Sequence, residues 1–179
     1  MVCHVDPVMA VSKAMQPAEQ VLDPVSAFLT ANIMKGVVDR GTGARAKALG
    51  RPAAGKTGTT NNQVDAWFVG FTPQVLTGVW TGRDTPTTMG RSETGAQAAL
   101  PAWLDAMKAF EKGRPVVDFT PPENVTWVSI DRITGKLPDA SSTDILLEAV
   151  RTGTEPTADQ NSGSRTGTSE KKSFFDLGL

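Results

Sequence analysis

Cysteine and histidine are almost absent from this sequence. Its 179 residues include one cysteine, Cys3, and one histidine, His4. The single cysteine excludes an intrachain disulfide, and the pair excludes a zinc site built mainly from Cys and His. A Ser-His-Asp triad would need His4 as its base. We therefore expect no metal and no cofactor.

Strong charge and long hydrophobic runs are also missing. The formal net charge is -1 at pH 7, which gives no indication of a nucleic-acid partner. Residues 1–20 lack the basic start and apolar run of a signal peptide. No stretch approaches the roughly 20 apolar residues of a membrane span. Two explanations stay open: the protein is cytosolic, or the sequence is a fragment whose targeting segment lies upstream.

Hydrophobic periodicity predicts two helices. Asp23 followed by Pro is typical of a helix start, and apolar residues at helical spacing predict a helix over residues 24–39. An apolar stripe predicts a second helix over residues 95–112, in which Pro101 either kinks the helix or marks its first turn.

Three adjacent strands are predicted between these helices, over residues 53–59, 64–72 and 75–81. The last two are apolar on both faces, which predicts a sheet covered on each side. Gly70 and Gly78 are predicted to mark close packing against the backbone.

The remaining segments are shorter. Residues 125–131 are predicted to form a hairpin with residues 136–137. Residues 1–20 are predicted to be an irregular leader, and residues 157–179 a disordered polar tail. The apolar end of that tail, residues 174–179, is either chance terminal composition or a short docking peptide.

Residues 50–57 match the G-x-x-x-x-G-K-[ST] pattern of a phosphate-binding loop. Such a loop needs a buried strand before it and a helix after it. Residues 45–49 are short and basic, residues 58–62 are poor helix formers, and Pro52 lacks the N–H that the loop would use. A nucleotide-dependent kinase or ATPase is therefore the weakest of the alternatives.

The same residues also contain Lys56-Thr57-Gly58, one of three motifs shared by penicillin-binding proteins and class A β-lactamases. Further stretches follow in the same order along the chain. Together they closely resemble the bifunctional (class A, 1A-like) penicillin-binding proteins from about Val21 to Pro156. The matching stretches are residues 36–43, 49–60, 65–73, 78–80, 93–95, 99–103 and 153–156.

This resemblance implies an α/β fold (an α+β sandwich) of the penicillin-binding protein and serine β-lactamase type, with an antiparallel sheet flanked by helices. It implies a peptidoglycan D,D-transpeptidase that cross-links the cell wall through a serine acyl-enzyme. The substrate would be a stem peptide ending in D-Ala-D-Ala, which β-lactams mimic. The intact protein would be anchored to the cytoplasmic membrane and face the periplasm or outer surface. Residues 21–156 would be the carboxy-terminal part of the transpeptidase domain.

The resemblance also implies roles for the strand residues. Lys56 would offer positive charge to the substrate carboxylate and the developing anion. Thr57 and Thr59 would donate hydroxyl hydrogen bonds, and Gly58 would leave room for the substrate backbone. The Thr59 N–H would be one arm of the oxyanion hole. Asp65 and Trp67 are predicted to be structural, as a strand-start acid and a core aromatic.

The serine itself is not found where the family pattern requires it. No Ser-x-x-Lys precedes Lys56, the one match lies in the tail at residues 169–172, and no Ser-x-Asn occurs. We therefore expect a fragment that begins inside a domain and is inactive alone, with the missing amino-terminal half as one possible partner. A non-catalytic piece that binds a partner chain or wall peptide stays an open alternative.

Overall fold

The computed structural model describes residues 19–157. Several sequence predictions lie outside these residues. They are the leader up to residue 18 with Cys3 and His4, and the tail from residue 158 on with the segments 169–172 and 174–179.

The first helix, α1, spans Pro24–Arg40 and confirms the prediction for residues 24–39. Asp23 caps it, because its carboxylate accepts the backbone N–H of Ser26 at 3.0 Å. The helix ends at Gly41, whose N–H donates to the carbonyl oxygen of Val37. A 3₁₀ turn over Ala44–Leu49 follows, and Gly50 closes it in the left-handed conformation with φ of 74°.

The predicted strands are all present: β1 spans Ala54–Thr59, β2 spans Ala66–Phe71 and β3 spans Leu76–Thr81. They form an antiparallel sheet in the order β1-β2-β3. A short 3₁₀ turn over Asn61–Gln63 joins β1 to β2. The register places Thr57 opposite Phe68 and Phe68 opposite Val79. Side chains of these three residues therefore share one face of the sheet.

The second predicted helix is divided into a π-helical segment over Gly95–Ala99 and an α-helix, α2, over Leu100–Phe110. Pro101 lies in the first turn of α2, directly after the π-helical segment. The buried side of α2 packs on the Phe68 face of the sheet. Trp103 is fully buried there, and its ring centroid lies 4.9 Å from that of Phe68.

The two faces of the sheet are covered unequally, which corrects the prediction that both are covered. Most of the face opposite Phe68 is open across β2 and β3 within residues 19–157, although Phe71 at one end of this face packs against the ring of Phe119 at 5.7 Å between centroids. Trp67 is 45% exposed, so the prediction of a core aromatic is also wrong. Leu76 and Trp80 are 69% and 46% exposed on the same face. Apolar residues on both faces indicate that a strand can be covered on both sides, but they do not identify the segment that covers it.

The two glycines singled out from the sequence behave differently. A Cβ on Gly70 would lie 2.7 Å from the indole of Trp103, so the prediction of close packing at Gly70 is confirmed. A Cβ on Gly78 would meet only the Val69 side chain at 3.6 Å, an ordinary contact, so that prediction is wrong.

A separate hairpin pairs β4, Val125–Asp131, with β5, Ile145–Arg151. The prediction that residues 136–137 would be the partner is therefore wrong. The Asp131 carboxylate accepts the N–H groups of Ile133 and Thr134, which forms a tight turn. The chain then loops out before it returns as β5, because seven paired positions satisfy far more backbone groups than two.

The hairpin packs against α1. The rings of Phe28 and Trp127 meet edge to face at 6.3 Å, and Asn32 donates to Glu148 at 2.6 Å. The helices and antiparallel sheets together confirm the predicted α+β class. Among the residues from 19 to 157, no helix is both long and apolar enough to cross a membrane.

Candidate functional site

The candidate site is the free edge of β1, which carries Lys56, Thr57, Gly58 and Thr59. The strand pairs with β2 along one side, and no other strand of the described region pairs with its second side. The first three residues are half-buried and Thr59 is exposed. Within residues 19–157, the second side of β1 is therefore not covered by another strand.

The hydrogen-bond pattern of the ladder determines which backbone groups face this edge. The N–H of Thr60 donates to the carbonyl oxygen of Asp65 at 3.0 Å, so this pair is hydrogen-bonded. Antiparallel pairs alternate between bonded and non-bonded. Thr59 and Thr57, opposite Ala66 and Phe68, are then the non-bonded positions. Their N–H and C=O groups point away from β2, toward the free edge.

The Lys56 ammonium lies beside this row of backbone groups. Its Nζ donates to the carbonyl oxygen of Thr57 at 2.8 Å. This contact agrees with an outward-facing Thr57 carbonyl. It also brings a fixed positive charge to the edge where the N–H groups of Thr57 and Thr59 are directed, so the edge combines N–H donors with a cation, a combination that attracts an anionic ligand.

The hydroxyls of Thr57 and Thr59 already have hydrogen-bond partners on the face of the sheet that carries Phe68. The Oγ1 atoms of Thr57 and Thr42 lie 2.9 Å apart, and the Thr59 Oγ1 accepts the backbone N–H of Gly95 at 3.1 Å. Sequence reasoning did not select Thr42 or Gly95 as site residues. Each belongs to a stretch that carried the family resemblance, so order along the chain was the available signal.

Asp65 has the structural role predicted for it. Its carboxylate accepts the indole N–H of Trp80 at 3.0 Å, and its own N–H donates to the Thr60 hydroxyl at 2.8 Å. These bonds close the connection from β1 to β2 directly after Thr59. The residue therefore holds the end of the candidate site without reaching its free edge.

The residues before β1 are anchored by a buried ion pair. The Arg51 guanidinium lies 2.7 Å from the Glu111 carboxylate, whose side chain is 2% exposed. The Thr72 hydroxyl donates to the second carboxylate oxygen. The start of β1 is thereby tied to the end of α2 and to the turn between β2 and β3.

The structure also decides between the two motifs that share residues 50–57. A 3₁₀ turn precedes the motif, where a phosphate-binding loop needs a buried strand. Its second half lies within β1, and only the short turn Asn61–Gln63 follows. The helix end that would bind phosphate is not formed, which agrees with the rejection of a nucleotide loop.

A groove on the described part of the surface lies away from the candidate site. This groove of about 510 Å³ lies along α1 and is lined by residues such as Ala27, Phe28 and Phe71, but by none of residues 56–59. Within the described range, no three His, Cys, Asp or Glu side chains come together to hold a metal ion.

Comparison with protein families gives a matching model for more than half of the chain. Residues 4–100 match the family described as the penicillin binding protein transpeptidase domain. Three similar curated proteins are each called Penicillin-binding protein 1A. The one from Rickettsia bellii is 42% identical over 138 residues, which are 75% of this chain and 17% of that protein. The one from Neisseria lactamica is 49% identical over 111 residues, 62% of this chain and 14% of that protein.

The third, from Aquifex aeolicus, is 41% identical over 139 residues, 77% of this chain and 19% of that protein. The chain thus spans less than a fifth of the length of these relatives. Among solved structures, the crystal structure of Penicillin-Binding Protein 1A from Haemophilus influenzae is similar with a TM-score of 0.70 and 29% identity. That similarity covers 87% of this chain and 26% of the solved one.

Proposed function

This chain belongs to the penicillin-binding protein transpeptidase family, and we propose that β1 is the substrate-binding strand of a peptidoglycan D,D-transpeptidase. In this reaction a serine attacks the penultimate carbonyl of a stem peptide ending in D-Ala-D-Ala, and the terminal D-Ala leaves. An amine of a neighbouring stem peptide then attacks the serine ester, which forms the new amide bond and releases the serine hydroxyl. Residues 21–156 would be the carboxy-terminal part of the catalytic domain.

The observation that carries the proposal is the free edge of β1. Thr57 and Thr59 direct N–H and C=O groups away from β2. An extended peptide can add to such an edge through backbone hydrogen bonds, as in other cases of strand addition. A stem peptide and the peptide-like backbone of a β-lactam both have the required donors and acceptors.

Each residue of the strand has a role in this proposal. Lys56 provides positive charge for the terminal carboxylate and for the anion that develops during acylation. Thr57 and Thr59 contribute hydroxyl groups, and Gly58 keeps a side chain out of the space beside the substrate backbone. The outward N–H of Thr59 is one donor of the oxyanion hole. Loss of one such donor costs about 3–4 kcal/mol of transition-state stabilisation in comparable enzymes.

The nucleophile is proposed to come from outside this sequence, because no Ser-x-x-Lys precedes Lys56. The segment that carries it would cover the open sheet face around Trp67, Leu76 and Trp80, which are about half exposed or more. The assembled enzyme would act at the outer face of the cytoplasmic membrane, where its substrate is found.

A second candidate function follows from the same absence. Without a nucleophile the edge of β1 can still hold a wall peptide or a partner chain, without acyl transfer. The two candidates differ in covalent chemistry. The chain alone is expected to show no mass increase after incubation with a fluorescent penicillin, measured by intact-mass spectrometry. A stoichiometric adduct would show that a nucleophile is present, and Ser169 would be examined first.

The transpeptidase proposal is tested in a chimaera. Residues 21–156 replace the aligned segment of the Neisseria lactamica relative, which supplies the rest of the protein. The chimaera is expected to acylate, and Lys56→Ala should lower its acylation rate by at least tenfold with folding unchanged. Lys47→Ala, on the exposed side of the preceding 3₁₀ turn, is the control. Equal rates for Lys56→Ala and the control would refute the proposed role of β1.

A further inference from the structure

Gly95 lies directly behind the candidate oxyanion donor. It is buried, and its N–H donates to the Thr59 hydroxyl oxygen at 3.1 Å. A Cβ at this position would lie 2.3 Å from the carbonyl oxygen of Trp67 and 2.8 Å from that of Gly58. These neighbours are backbone atoms of β1 and β2, which cannot turn aside as a flexible side chain can.

The contact falls on one rung of the ladder. Gly58 and Trp67 are opposite each other. They form a hydrogen-bonded pair, because the bonded Thr60–Asp65 pair lies two residues away on each strand and bonded pairs alternate with non-bonded ones. Gly95 therefore rests on the rung that immediately precedes Thr59. Any atom added to Gly95 has to push this rung out of the plane of the sheet.

The segment behind the rung is anchored in the core and to β3. Gly95 begins the π-helical segment that leads into α2, and both Ala99 and Leu100 are fully buried in the core. The Thr81 hydroxyl donates to the carbonyl oxygen of Ala98 at 3.4 Å, which joins the same segment to β3. Burial in the core and the hydrogen bond to β3 thus both oppose movement of the Gly95 backbone relative to the sheet.

We infer that Gly95 is a positioning residue: it holds the Gly58–Thr59 peptide against the sheet and so orients the outward N–H of Thr59. This role rests on the proposed function for its catalytic meaning, since that N–H is the proposed oxyanion donor. The mechanical coupling between Gly95 and the rung does not depend on it. The two parts can therefore be measured separately.

The coupling is tested in the full chain by hydrogen exchange resolved to single amides. Gly95→Ala should accelerate exchange of the Gly58 and Thr60 amides, which face β2, by at least tenfold. Amides of α1 should be unaffected. Gly78→Ala is the matched control, because its Cβ meets only Val69 at 3.6 Å. Equal exchange at Gly58 and Thr60 in the two variants would overturn the inference.

A second pair of variants decides the case if Gly95→Ala does not fold. Thr59→Val removes the oxygen that accepts the Gly95 N–H, and Thr59→Ser retains it. We expect faster exchange at Gly58 and Thr60 in the valine variant and near-normal exchange in the serine variant. The same exchange in both would contradict a role for this hydrogen bond.

The catalytic consequence is measured in the chimaera. Gly95→Ala should reduce the acylation rate by about tenfold or more, while the control Lys47→Ala leaves it unchanged. If exchange responds to Gly95→Ala but acylation responds to neither Gly95→Ala nor Lys56→Ala, the proposed function fails and the coupling stands. If Lys56→Ala slows acylation and Gly95→Ala does not, the positioning role fails and the proposed function stands.

Discussion

Arg51 and Glu111 form an ion pair of 2.7 Å although 60 residues separate them in the sequence. The Arg51 side chain is 13% exposed and that of Glu111 2%. Arg51 also donates to the Glu111 carbonyl oxygen at 3.3 Å, at the end of α2. One side chain therefore neutralises a buried carboxylate, satisfies a helix-end carbonyl and anchors the approach to β1.

Removing Arg51 should destabilise the fold strongly. Arg51→Ala leaves the Glu111 carboxylate buried without a cation, a change that costs about 3–5 kcal/mol in comparable sites. Lys35→Ala, which breaks the half-exposed pair with Asp39 on α1, should cost less than about 1 kcal/mol. Urea unfolding of both variants gives the comparison. The double variant Arg51→Met with Glu111→Leu should recover much of the loss. If Arg51→Ala destabilises the chain no more than Lys35→Ala does, the buried ion pair contributes little to stability.

Gly70 and Gly78 should differ sharply in their tolerance of alanine. A Cβ at Gly70 would lie 2.7 Å from both Phe68 and Trp103 in the core. Trp103 cannot easily withdraw, because its indole N–H donates to the carbonyl oxygens of Gly70 and Thr77. Overpacking of this kind costs about 1–3 kcal/mol or more. Gly78→Ala should change the melting temperature little, and equal losses in the two variants would contradict this account.

Asp23 should make stability depend on acid pH. The N–H of Ser26 and the Arg151 guanidinium lower the pKa of Asp23 from 3.8 to about 2. The stability that this shift contributes is complete only above about pH 5 and is lost as the pH falls through 3.8 toward about 2. Asp23→Asn retains a capping side chain but cannot titrate, so its unfolding free energy should fall less steeply between pH 4 and 2. An unchanged slope would show that Asp23 contributes nothing to acid sensitivity. Asp131 and Asp144 also have lowered pKa values, so some dependence remains in the variant.

The open sheet face should make the isolated chain self-associate. Trp67, Val69, Leu76 and Trp80 are all exposed there, and β3 is an unpaired edge within the described residues. Leu76→Lys places a charge on this face and should shift the chain toward monomer in analytical ultracentrifugation. The control is Ile133→Lys, because Ile133 is 70% exposed in the turn after β4 and lies away from this face. It should leave the association state unchanged. A wild-type chain that is monomeric and melts cooperatively would show that the face needs no cover.

Local patterns in the chain were enough to locate α1, the three strands and the Lys-Thr-Gly motif. Helix caps, turn residues and hydrophobic period act over a few neighbouring residues, so they can be read directly from the sequence. The motif on β1 was recognised for the same reason, since its neighbours follow the family order along the chain. The direction of the Thr57 and Thr59 N–H groups toward the free edge could be inferred only from the register of β1 and β2 in the structure.

Other features depend on contacts between distant residues, and tertiary structure alone decided them. The partner of β4 was mispredicted because strand pairing is chosen by total hydrogen bonding and packing and not by nearness in sequence. Hydrophobicity alone predicts a core position for Trp67, because it does not reveal whether a covering segment is present. The contact of Gly95 with the Gly58–Trp67 rung was missed because 36 residues separate Gly95 from Thr59. Such close backbone approaches arise only when the sheet and the helix pack together.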